Sequence, residues 1–256
     1  MKKLIAMILA LTMVLALAAC GSSEPAETTA AATEAATEAA TEAATEAATE
    51  AAAEASAVMT HEEFVAAPVD SEVTVETYVQ AKQGWWENKA TFYTQNEDGA
   101  YFLYDMPCTE EEYAQLTEGT KIRVTGYKAE WSGEVEIIDA SFEILEGSYV
   151  AEPLDVTEMM TDEAALLAHQ NEKIAVNGLT VKSVSYKNDE PGDDIYLTLT
   201  LGEADYNFCV EVYLTGTDSE VYTTVGELAE GDVVNLEGFL YWYEGANPHI
   251  SAITVQ

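Results

Sequence analysis

From residue 59 onward the polar and apolar positions alternate in twos. Val73, Val75 and Val79 are interleaved with Thr74, Glu76, Tyr78 and Gln80, the spacing of a strand with one face in a core and one in water. The same alternation predicts strands over Lys89–Gln95, Ala100–Asp105, Lys121–Glu130 and Glu134–Leu145. Asn96-Glu97-Asp98-Gly99 supplies a turn between the second and third of these. Before the fourth, Thr109-Glu110-Glu111-Glu112 has the spacing of a capping box, which predicts a short helix with Tyr113 and Leu116 facing inward and Gly119 past its end. The remainder of the chain repeats this order. Ile174 and Val176 fall in one parity and Leu179 and Val181 in the other, so a bulge is expected at Gly178 in a long first strand. Ile195–Leu201 reads as strand two and Phe208–Leu214 as strand three. Asp218–Leu228 reads as a helical or irregular connection, Asp232–Tyr243 as strand four and His249–Val255 as strand five.

The repetition extends to local markers. Met59-Thr60-His61-Glu62 recurs as Met160-Thr161-Asp162-Glu163, and Glu118-Gly119 with Gly126 recurs as Glu230-Gly231 with Gly238. Two domains are therefore expected, over 59–147 and 148–256, each of a size to close its own core. Five strands with a helix between the third and fourth, a Glu-Gly entry to strand four and glycines within strands resemble the small OB-fold modules of exported bacterial proteins. The resemblance implies an all-β fold with short helices: two tandem five-stranded Greek-key barrels. Paired β-barrels or sandwiches of another topology are the alternative.

The start of the chain is of a different kind. Met1-Lys2-Lys3, an apolar run from Leu4 to Ala19 and a small-residue ending make a secretory signal too short to span a bilayer. Leu17-Ala18-Ala19-Cys20 resembles the lipobox of bacterial lipoproteins, which implies that residues 1–19 are removed, that Cys20 carries lipid and that the protein is held at the bacterial membrane on its extracytoplasmic side. Residues 20–58 are rich in Ala, Thr and Glu, with Thr-Glu-Ala-Ala recurring from Thr33 to Thr49. Glutamates four residues apart repel, and no apolar stripe is available to bury, so a disordered tether is expected.

Charge narrows the partners. The chain has 47 acidic and 10 basic residues, a formal net charge of −37. This sign opposes phosphate backbones, so no nucleic-acid partner is expected, and it suits cations, basic peptides or neutral glycans. Cys108 and Cys209, the cysteines besides Cys20, read as free thiols, and no Cys-x-x-Cys or paired-His spacing points to redox or zinc chemistry. Neither His61, His169 nor His249 stands in a recognisable nucleophilic motif, so a non-catalytic protein is expected, without a cofactor.

An OB-fold binds across strands two and three between the one–two and four–five connections. In the first copy these connections hold Trp85, Trp86 and Trp131; in the second, the four–five turn holds Tyr241, Trp242 and Tyr243. Parity along strand four turns Tyr127 and Trp131 outward, and Phe239, Tyr241 and Tyr243 likewise. These rings are candidates to stack on a glycan or a cell-wall component. Equally, they could plug barrel ends or join the two domains. A protein-interaction or structural module of an envelope assembly, docking a basic partner, is the alternative function. Asp189, Glu190, Asp193 and Asp194 form an acidic turn that is a candidate calcium site.

Overall fold

In the computed structural model, which describes residues 57–256, the alternating stretches form strands that close into two barrels. The leader, Cys20 and the tether up to residue 56 lie outside the described residues. The unit opens with α1 (His61–Ala66), followed by β1 (Glu72–Lys82), β2 (Lys89–Gln95), β3 (Ala100–Pro107), α2 (Glu110–Gln115), β4 (Thr120–Trp131) and β5 (Glu134–Ser148). The barrel runs β1-β2-β3-β5-β4 and back to β1, with β3 and β5 parallel.

After a short β6 (Leu154–Asp155) and α3 (Glu163–Leu167), the order repeats. It comprises β7 (Lys173–Tyr186), β8 (Ile195–Leu201), β9 (Ala204–Val210), α4 (Val212–Thr215), α5 (Glu220–Gly226), β10 (Val233–Phe239) and β11 (His249–Val255). Strand β10 closes on β7 and β11 runs parallel to β9, so the two barrels share one topology. Both are five-stranded Greek-key OB-folds with helix between the third and fourth strands.

Local chemistry explains the elements. Thr60 and Thr109 each accept the N3 backbone N–H of the helix that follows, and Glu63 and Glu112 reach back to complete two capping boxes. The repeated marker at each copy's entrance is therefore a capped helix, with Asp162 as the cap of α3. At the far end of α1, the buried Lys128 ammonium donates to the Phe64, Val65 and Ala67 carbonyls at 2.8–3.0 Å, placing a cation where the helix dipole is negative. The expected bulge is present: the β7–β10 register shifts between Val234 and Leu236, opposite Gly178, whose φ of +70 glycine adopts without strain. Inward residues such as Phe92 and Leu103, or Leu197 and Phe208, fill two separate cores, each large side chain contributing about 1.5–3 kcal/mol by burial.

Two strands of the second copy end earlier than the sequence predicts. The third strand of the second copy stops at Val210, and Val212–Thr215 form a helical turn, because the buried Asp194 carboxylate accepts the Val212 N–H at 3.0 Å. The fourth strand stops at Phe239, because Leu240 leaves the ladder to exchange backbone hydrogen bonds with Asn171 and Glu172.

A third cluster, Tyr93, Phe102 and Phe239, belongs to neither barrel interior. Tyr93 and Phe239 stack with centroids 4.4 Å apart, so the outer face of β2–β3 is covered by the second barrel.

Candidate functional site: an aromatic cleft between the barrels

Strand β4 ends at Trp131 and turns through Ser132 (φ 53) and Gly133 (φ 92) into Glu134, a two-residue hairpin with both central residues left-handed. A Cβ on Gly133 would lie 2.7 Å from Trp242 Cδ1, so glycine lets the second barrel's indole rest on this turn. The Glu244 N–H donates to the Ser132 carbonyl at 2.8 Å, and the four–five connections of the two barrels interlock.

Glu134 sits beneath this contact. Its Oε2 accepts the Trp242 N–H at 2.9 Å and the Gln170 side chain at 3.2 Å, while Oε1 is buried with no partner. Beside it the Asn171 amide donates Nδ2 to the Val135 carbonyl at 3.3 Å, and this leaves Oδ1 buried and without a donor. Burial pushes the Glu134 carboxyl up to about 8 against the pull of its hydrogen bonds, and Glu136 adds to the rise.

A second buried group lies nearby. The fully buried Tyr93 hydroxyl is 2.7 Å from His249 Nδ1, and burial holds its proton on far above the ordinary phenol range. The bond to the imidazole is therefore made by a phenol and not a phenolate. Glu211 Oε2 lies 3.4 Å from the same Nδ1 and accepts from Gln83 Nε2 at 2.6 Å.

Over these groups lies an open cleft of about 600 Å³. Its floor is the outer face of β8–β9 with Tyr196, Asn207 and Cys209, its side is the Tyr243–Asn247 segment, and its far wall is Trp131 of the first barrel. Trp131 and Tyr243 are about half exposed, with ring centroids 5.2 Å apart. An inner pocket of about 240 Å³ shares Trp131, Glu211, Tyr241 and His249 with the cleft. The Cys209 thiol is free and buried, and burial raises it well above the ordinary thiol range, so it is a wall and not a nucleophile.

Of the aromatic candidates, Trp131, Tyr241 and Tyr243 come together at the cleft. Phe239, Trp242 and Trp85 are corrected. Phe239 faces out of its barrel as parity requires, but the first barrel covers it, leaving 2% exposed. Trp242 is buried against Gly133. Trp85 packs on the first core and donates Nε1 to the Cys108 carbonyl at 3.0 Å. Trp86 and Tyr127 are exposed but line neither cavity.

The calcium candidate is corrected as well. Lys187 holds Asp194 at 3.0 Å and Asp193 at 3.6 Å, Asn188 also binds Asp193, and Asp189 and Glu190 are exposed. Among the described residues, no group of three or more His, Cys, Asp or Glu side chains is arranged for a metal.

Tyr93, Glu134, Glu136, Tyr196, Glu211 and His249 were not singled out by sequence reasoning. Glu134 and Glu136 alternate with Val135 and Ile137, which reads as an ordinary solvent face until the second barrel is placed over it.

No protein-family model matches the sequence, and no curated protein matches it. Among solved structures, the chain is similar to a murine DNA binding protein bound with ds DNA: 13% identity, 71% of this chain, 94% of that chain, TM-score 0.34. It is also similar to p202 HIN1 in complex with 12-mer dsDNA: 14% identity, 73% and 94% coverage, TM-score 0.33. Asparaginyl-tRNA synthetase from Pyrococcus horikoshii, complexed with asparaginyl-adenylate, is 19% identical over 33% of this chain with TM-score 0.28. The chain spans 19% of that protein's length. Likenesses at this level assign no ligand to this chain. They do correct the expectation that nucleic acid is excluded, because chains similar to this one are bound to double-stranded DNA. Net charge sums over the whole surface, whereas a polyanion meets only the patch it touches, so acidity alone excludes no such partner.

Proposed function

We propose that this protein is a lipid-anchored, extracytoplasmic binding protein that holds its ligand in the cleft between its two OB-fold barrels, without turnover. The observation that carries this reading is the pairing of Trp131 with Tyr243. Two half-exposed rings from different barrels stand side by side over the strand-two and strand-three face on which OB-folds bind. Exposed aromatic rings beside Asn207 and the backbone of the Tyr243–Asn247 segment suit a glycan or cell-wall fragment, which offers both apolar ring faces and hydroxyls. The anchoring part rests on the Leu17-Ala18-Ala19-Cys20 ending and the acidic tether, which would hold the barrels away from an anionic surface.

Calorimetric titration of the full chain with soluble peptidoglycan fragments and neutral oligosaccharides tests the cleft. Binding should be lost in Trp131→Ala and kept in Trp86→Ala, whose ring lines neither cavity. Binding to fragments that ignores Trp131 would overturn the assignment. The acidity keeps a second reading in play, a module that docks a basic partner. Capture that weakens steeply between low and high salt, with no response to glycans, would favour that reading over the first. Mass spectrometry of the processed chain should find lipid on Cys20.

A further inference from the structure

The inner pocket has a composition that the open cleft lacks. Five rings, Phe102, Tyr104, Trp131, Tyr241 and the His249 imidazole, line it together with two carboxylates, Glu136 and Glu211, in about 240 Å³. No lysine or arginine lines it among the described residues. Glu211 makes both of its side-chain contacts, to Gln83 and His249, through Oε2. Glu136 is the more telling group. It is 9% exposed and, among the described residues, has neither a hydrogen-bond nor an ion-pair partner, and its carboxylate oxygens are open to the pocket side.

A buried carboxylate without a partner is costly, and folded proteins keep one where something else supplies the missing charge. No cationic side chain among the described residues meets it, because the ladder that fixes Glu136 between Phe102 of β3 and Ala129 of β4 aims it at the seam between the barrels, and burial with nearby Asp105 raises its carboxyl. Aromatic rings attract organic cations through the negative charge of their faces. A hard metal ion would need more oxygen ligands than two carboxylates provide. A purely apolar ligand would leave Glu136 desolvated and unpaired.

We propose that this pocket is a subsite for an organic ammonium group, primary or quaternary, carried by the ligand of the interbarrel cleft. The proposal rests on the reading of that cleft as the ligand site and adds the chemical class of the group that reaches its inner end. Glu136 supplies the counter-charge, Trp131 and Tyr241 the faces on which the cation rests, and Glu211 a second carboxylate across the pocket.

Choline, n-butylamine and the uncharged choline isostere 3,3-dimethyl-1-butanol, titrated calorimetrically into the full chain, test this directly. At least one ammonium probe should bind, and the neutral isostere about tenfold more weakly, the factor expected of one desolvated cation–π contact. Glu136→Gln should weaken the ammonium probe by about tenfold or more while leaving the isostere unchanged, since it removes charge and keeps shape. A melting temperature at or above that of the parent shows that Glu136→Gln is folded, and Trp131→Phe, which keeps a ring, should retain more affinity than Trp131→Ala. Equal binding of cation and isostere, or indifference to Glu136→Gln, overturns the cation subsite. If no ammonium probe binds while glycan binding still depends on Trp131, the subsite falls and the cleft reading stands. If neither binds, both fall.

Discussion

Tyr93 and Tyr196 each lie on the outward face of their barrel's second strand, and they have opposite fates. Tyr93 is fully buried beneath Phe239 of the other barrel, whereas Tyr196 remains 42% exposed on the floor of the cleft. The fold is one and the same, and so is the parity. What differs is cover: the first barrel's strand-two and strand-three face is consumed in joining the pair, and the second barrel's equivalent face is left open. A duplicated module can thus divide its labour, one copy giving up its surface to position the rim of the other. Trp131 shows the result, since it belongs to the first barrel but walls the face of the second.

If that division is right, the joint should be the more costly place to cut. Tyr93→Ala removes the centre of the interbarrel cluster and should destabilise the chain by about 3–5 kcal/mol in chemical denaturation. A loss below about 1 kcal/mol would mean that the barrels do not support one another.

Glu134→Gln sharpens the same comparison through pH. The Glu134 carboxyl is raised from an ordinary 4.5 to about 8 in the folded chain, so the folded state keeps a proton that the unfolded chain releases. Its contribution is complete below about pH 4.5, shrinks as the pH climbs, and is gone above about pH 8, a change of a few kcal/mol. Glutamine keeps the shape of the uncharged acid and an oxygen for the Trp242 N–H. The variant should therefore flatten the fall in stability between those limits and be the more stable protein at pH 8. Identical pH profiles for variant and parent would remove Glu134 from the account.

Tyr93→Phe deletes only the hydroxyl bonded to His249 and should cost about 1 kcal/mol, leaving the stacked ring in place. Tyr196→Ala, on the open face, should change stability by no more than about 0.5 kcal/mol. A Tyr196→Ala protein as damaged as Tyr93→Ala would abolish the contrast from which the cleft is read.

Much of this architecture was legible in the residues. The alternation at Val73–Val79, the capping box at Thr109 and the parity change at Gly178 each have one local solution, and the chain adopts it. Parity also turned Phe239 out of its barrel, correctly, but could not show that another surface would meet it there. The strand ends at Val210 and Phe239 were missed for a related reason. Asp194 and the Asn171–Glu172 backbone, which terminate them, are near in space and distant in sequence. Among the site residues, Trp131, Tyr241 and Tyr243 could be found because aromatic rings in loops are conspicuous, whereas Glu136 looked like any other acid in a chain full of them.

The sequence by itself determined the periodicity, the duplication, the caps and the turns, because each depends on residues within one strand or helix of each other. Only the tertiary structure decided which outward face is a joint and which is a cleft, and so which carboxylates lose water. Burial is a property of whatever packs against a surface, and that partner is written elsewhere in the chain.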